Sequence, residues 1–149
     1  MNEVEIFNST QLALISNGVY LLTFTGLIFI TFRLIRYQRE NQSNKFGKVL
    51  VTIFGLCTTF YGYTVFSFLR NLQFSQSYRL SALKEDGEEL SSWATSIIDF
   101  TGYTVADGLP IPSTPEPAAV IFIITFATMV IAGVWPVSYT HLTLPTKCW

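Results

Sequence analysis

Three stretches of this chain, 12–32, 49–69 and 118–135, contain no Asp, Glu, Lys, Arg or His. They are 21, 21 and 18 residues long. A helix needs about 20 predominantly apolar residues to cross ~30 Å of hydrocarbon, so each window is of spanning length. Charged residues are 13% of the chain, against about 25% in a soluble domain. Helices apolar all round are buried in large proteins, and 149 residues are too few to cover three of them. Uninterrupted apolar runs also lack the period-two alternation of an outer-membrane barrel. The sequence therefore predicts an all-α integral membrane protein with three transmembrane helices, in a single membrane domain over 1–135.

Lys and Arg then set an orientation, because acidic residues count little in that rule. Arg33, Arg36, Arg39, Lys45 and Lys48 crowd the loop 33–48, whereas the first eleven residues carry no base. The segment 70–117 has only Arg70, Arg79 and Lys84, all far from the third window. These positions predict a multi-pass protein of the cell (inner or plasma) membrane. The N-terminus and the loop 70–117 lie outside, and the loop 33–48 is cytoplasmic. The same five bases would attract anionic lipid at ~1 kcal/mol each, although topology alone accounts for them. Glu3 and Glu5 precede the first window and Arg33 and Arg36 follow it, the reverse of a cleavable signal. Asn8-Ser-Thr-Gln11 has the form of a capping box and predicts that the first helix starts there.

Within the outer loop, Leu90, Trp93, Ala94, Ile97 and Ile98 recur at helical spacing, with Ser and Thr between them. They predict an amphipathic helix over about 88–101, opened by the acidic run Glu85–Glu89 and closed at Gly102. Its apolar face is a candidate interfacial or partner-binding surface. It can lie along the membrane–water boundary or cover the outer ends of the transmembrane helices. Four prolines in 110–117 predict an extended connector into the third span.

Small and hydroxylated residues share faces of the spans. Thr52, Gly55, Thr59 and Gly62 fall on one face of the second, and Thr125, Thr128 and Ala132 form a stripe on the third. Such faces let backbones approach closely, so these seven residues are the candidate helix-packing set. Tyr61 and Tyr63 have no charged group converging on them and do not describe a cofactor pocket.

The segment Val137–Thr146 resembles, in one continuous frame, the translation of a transposase-type sequencing adapter. The resemblance implies that 136–149 are adapter-derived and that the chain is a C-terminally truncated fragment, to be excluded from fold reasoning. It removes the only histidine, His141, together with Cys148, leaving Cys57 as the one cysteine of 1–135. A His/Cys metal cluster, a disulfide and a Ser-His-Asp site are then all ruled out within 1–135. No cofactor, metal or catalytic residue is expected.

These features predict a non-catalytic membrane protein, an accessory or scaffold subunit of a membrane complex. The alternative is the N-terminal fragment of a larger polytopic transporter or channel. The expected partners are the lipid bilayer and either other membrane subunits or further copies of the chain, with no nucleic acid.

Overall fold

Asn2, rather than Asn8, caps the first helix in the structure, a computed structural model that describes residues 2–42, 44–111 and 114–135. Its side chain accepts from the Glu5 backbone N–H at 2.9 Å, and the Glu5 carboxylate accepts from the Asn2 N–H at 3.0 Å. This is a reciprocal capping box. Glu3 and Glu5 in the first turn complement the positive end of the helix, so it begins upstream of the expected start. Helix α1 then runs unbroken from Glu3 to Glu40. The adapter-like segment 136–149, with His141 and Cys148, lies outside the described residues.

Asn44 opens α2 by accepting from the Gly47 N–H at 2.9 Å, and the helix continues from Lys45 to Glu85. The polar stretch after Leu69 therefore continues the same helix beyond its apolar window. Gly87, at φ +87°, stops the helix. The Glu88 N–H donates to the Leu83 carbonyl and the Gly87 N–H to that of Lys84, the paired bonds of a Schellman cap. The acidic run thus lies at the end of α2 and in the turn beyond it, not in the amphipathic helix. That helix, α3, is Ser92–Thr101, so its start is later than the expected 88. Ser91 caps it by accepting from the Ala94 N–H at 3.2 Å, and Gly102 closes it at φ +66°.

A 3-10 turn at Val105–Asp107 precedes α4, Pro117–Val134. Pro117 takes the first helical position, where a missing N–H costs nothing. No strand occurs among the described residues. Three helices, α1, α2 and α4, are long and apolar enough to cross a membrane by length and composition. They pack in mutual contact, up, down and up, with the α1–α2 hairpin forming the longest interface. At 1.5 Å per residue, α1 and α2 are about 57 and 61 Å long, well beyond α4. The excess projects mainly at the end that carries the N-terminus, and α3 packs there.

Candidate functional site

The buried seam of α1 has a period that the apolar window conceals. Thr10, Asn17, Phe24, Thr31 and Gln38 are all buried, each seven residues after the last. On α2 the buried positions Gly55, Thr58, Gly62 and Val65 follow in steps of three and four. Ile123, Phe126, Val130 and Val134 do the same on α4. A step of 3.5 residues keeps one stripe turned toward a partner helix, as in coiled coils. The seam is partly polar, but every polar side chain buried among the described residues is uncharged. The seam threonines use their hydroxyls locally: Thr31 donates to the Leu27 carbonyl at 2.7 Å and Thr58 to that of Phe54 at 3.0 Å. The two hydroxyl oxygens meet across the helices at 3.5 Å.

The expected packing face of α2 divides its work between two neighbours. A Cβ on Gly55 would stand 2.4 Å from Val130 Cγ1 of α4, and one on Gly62 would stand 2.4 Å from Phe24 Cζ of α1. Thr52 accepts from the Trp135 indole N–H at 3.1 Å. Thr59 is half-buried and donates to the Gly55 carbonyl at 2.8 Å. Sequence reasoning missed Gly133, whose Cβ would stand 2.9 Å from Ile35 Cγ2. It also missed Thr58, Asn17 and Gln38. The seven-residue recurrence from Thr10 to Gln38 was the available signal.

The α4 stripe corrects the expectation that it packs the three helices together. Thr125, Thr128 and Ala132 are exposed, and the two threonines donate to the Ile121 and Ile124 carbonyls of their own helix, both at 2.8 Å. The physical reason is bulk: the larger Ile123, Phe126, Val130 and Val134 occupy the facing side and bury more apolar area.

At the other end, α3 closes over the projecting helices. Ala94 and Ile98 are buried with Ile6 of α1 and with Leu80 and Leu83 of α2, while Leu90 and Ile97 pack against that cluster. Trp93 stays half exposed and lies on Phe7, ring centroids 3.9 Å apart. Of the two placements open to this face, the structure has it covering the ends of α1 and α2. Glu3 fastens the arrangement: its carboxylate accepts from the Ser91 N–H at 3.1 Å and the Ser91 hydroxyl at 2.5 Å. These hydrogen bonds, the hydroxyl first, hold the Glu3 pKa below the ordinary glutamate value. Two α2 serines pin the following chain. Ser77 donates to the Tyr103 carbonyl at 2.6 Å, and the Val105 N–H donates to Ser81 at 3.0 Å. Tyr103 stacks on Phe74, which also carries the Arg70 guanidinium over its face at 5.2 Å.

The basic end has a different character. The Lys48 ammonium sits 5.8 Å from the centre of the Trp135 ring, and Arg36 pairs with Glu40 at 2.7 Å. Between α1 and α2 lies an open cavity of about 430 Å³, lined by Leu34, Tyr37, Gln38, Gly47, Leu50, Val51 and Phe54. Gln38 is 3% exposed, and its side-chain oxygen has no hydrogen-bond partner among the described residues. Buried amides are ordinarily paired, so this one is an exception, as is Asn17 at 1% exposure. Tyr61 shares a shallow depression with Tyr20, Thr64, Val65 and Phe68, and no charged side chain lines it. Among the described residues no three His, Cys, Asp or Glu side chains converge as metal ligands. Comparison with known proteins returns no matching family model, no similar curated protein and no similar solved structure.

Proposed function

We propose that this chain is a multi-pass membrane protein acting as a non-catalytic accessory or scaffold subunit. One observation carries the membrane part. In the most apolar 18-residue stretch of α1, α2 and α4 only 17%, 22% and 22% of the residues are buried within the bundle, so most of each is left uncovered or only partly covered. Residues such as Leu12, Leu22, Phe29, Phe60 and Ile121 are more than half exposed. A surface this apolar is tolerated in lipid and is an aggregation hazard in water. The bundle interior is closed by close packing and uncharged groups, which suits a structural role better than ion translocation.

The scaffold part is supported by the folded head. Leu80 lies eleven residues beyond Leu69, the last residue of the second window, a rise of about 16 Å. The headgroup layer is roughly 5–8 Å deep, so the α3 cluster stands clear of it and is presented to soluble or subunit surfaces. A second reading, the front part of a transporter or channel, is favoured by the buried, unpartnered side-chain oxygen of Asn17 within the first apolar window, because polar groups in spans often mark a pathway.

The two are separated by mild-detergent purification and reconstitution. An accessory subunit is recovered with a membrane partner in fixed stoichiometry, and its liposomes remain tight to small ions. Recovery alone, with solute flux through the reconstituted chain, rejects the scaffold reading. The proposed orientation has the N-terminus and α3 outside and the loop 33–48 cytoplasmic. In a background lacking Cys57 and Cys148, Glu89→Cys is expected to react with an impermeant maleimide on intact cells and Asn41→Cys only after lysis. The reverse pattern overturns it.

A further inference from the structure

We propose that the cavity between α1 and α2 at the basic end binds one anionic phospholipid whose headgroup carries a hydroxyl. This rests on the membrane reading above. The lining changes character along the bilayer normal as a lipid does. Leu50, Val51 and Phe54 belong to the second apolar window, whereas Gln38 and Gly47 lie beyond the ends of the windows, among the bases. From Gly47 to Phe54 the helix rises about 10 Å, enough to take the glycerol region and the first part of an acyl chain. Leu34 and Tyr37 wall the opposite side.

Polar chemistry selects the headgroup. The Gln38 carboxamide oxygen is buried and unpartnered and can only accept. A terminal amide torsion is soft, so the group can turn toward a donor entering the cavity. A headgroup hydroxyl supplies that donor; a choline does not. Charge agrees: Glu40, the one acid among residues 33–48, is paired with Arg36. Arg33, Arg39 and Lys45 are left without an acidic partner among the described residues. Each base near the surface strengthens anionic lipid binding by roughly fivefold.

The test is native mass spectrometry of the detergent-solubilised full chain, titrated with phosphatidylglycerol, phosphatidylcholine, phosphatidic acid and soluble glycerol phosphate. Phosphatidylglycerol is expected to bind at least about tenfold tighter than phosphatidylcholine, a hydrogen bond plus charge attraction. Gln38→Leu should weaken phosphatidylglycerol and phosphatidic acid, whose monoester phosphate also keeps an O–H donor near neutral pH, by roughly fivefold without loss of helicity. Lys45→Gln should cost roughly fivefold, and Val51→Trp, which fills the cavity, should abolish the preference. Equal binding of phosphatidylglycerol and phosphatidylcholine overturns the proposal, as does an unchanged Gln38→Leu. Displacement by glycerol phosphate at equal concentration also overturns it, since the acyl chain would then play no part. Failure of the membrane reading shows separately, as a chain released from membranes by alkaline carbonate.

Discussion

Gly62→Ala adds one carbon where there is no room for it. The new Cβ would stand 2.4 and 2.5 Å from two ring carbons of Phe24, whereas apolar carbons settle at about 3.5–4.0 Å. The ring must therefore retreat by more than about 1 Å, and it is 3% exposed, with little space behind it. It also stands edge-on to Phe66, Phe122 and Phe126, with centroids 6.0, 6.3 and 6.4 Å away. Overpacking of this kind costs about 1–3 kcal/mol, and each disturbed aromatic pair adds up to ~1.5 kcal/mol. In water, alanine would recover about 1 kcal/mol of helix propensity. In a bilayer or micelle the separated helices are already formed, so most of that gain cancels. We expect a net loss of about 1–3 kcal/mol in reversible SDS-driven unfolding followed by near-UV circular dichroism. Gly26→Ala, with no atom within 4 Å of its Cβ, should stay within ~0.5 kcal/mol of the parent. Phe24→Leu in the Gly62→Ala background should return part of the loss. If Gly62→Ala proves as silent as Gly26→Ala, the α1–α2 contact is not where it has been placed.

Thr58→Val should change the same unfolding free energy by less than ~0.6 kcal/mol, because both threonine hydroxyls already donate to their own helices and meet only at 3.5 Å. A loss above about 1.5 kcal/mol would mean the cross-helix bond is shorter and stronger than described. Glu3 provides a pH signature. Its pKa is lowered by the bonds from Ser91, so the clasp contributes in full above the ordinary glutamate value of about 4.3. That contribution is lost as pH falls through the depressed value. Protection of the α3 amides, relative to their intrinsic exchange rate at each pH, should fall over that acidic window in the parent, while Glu3→Gln should be less protected at neutral pH and lack the Glu3 step.

The long uncharged windows announced three helices because nothing else accommodates about twenty consecutive residues without charge. Their ends were harder. Asn2 and Asn8 both begin plausible capping boxes, and only the acidic first turn decides between them. The acidic run looked like a helix start, yet Gly87 between Asp86 and Glu88 makes it a helix end. Among the expected packing residues, Gly55 and Gly62 lie where another helix approaches closely. Packing was misjudged on α4, where small size suggested an inward face and the bulky residues took that side. The Glu3–Ser91 clasp joins residues 88 positions apart, a separation that no local pattern encodes.

In the proposed membrane arrangement, α1 and α2 would run on past the bilayer without a break, and the head would be attached to the spans as to a stiff mast. From the membrane midplane to Leu83 the lever is about 36 Å, taking half of a 30 Å core and fourteen further residues. Helices answer a change in bilayer thickness by tilting. A tilt of about 10° would carry the head sideways by roughly 6 Å, more than the rise of a full helical turn. A thinner or thicker membrane would thus be reported, well above its surface, as a displacement that a neighbouring subunit could feel.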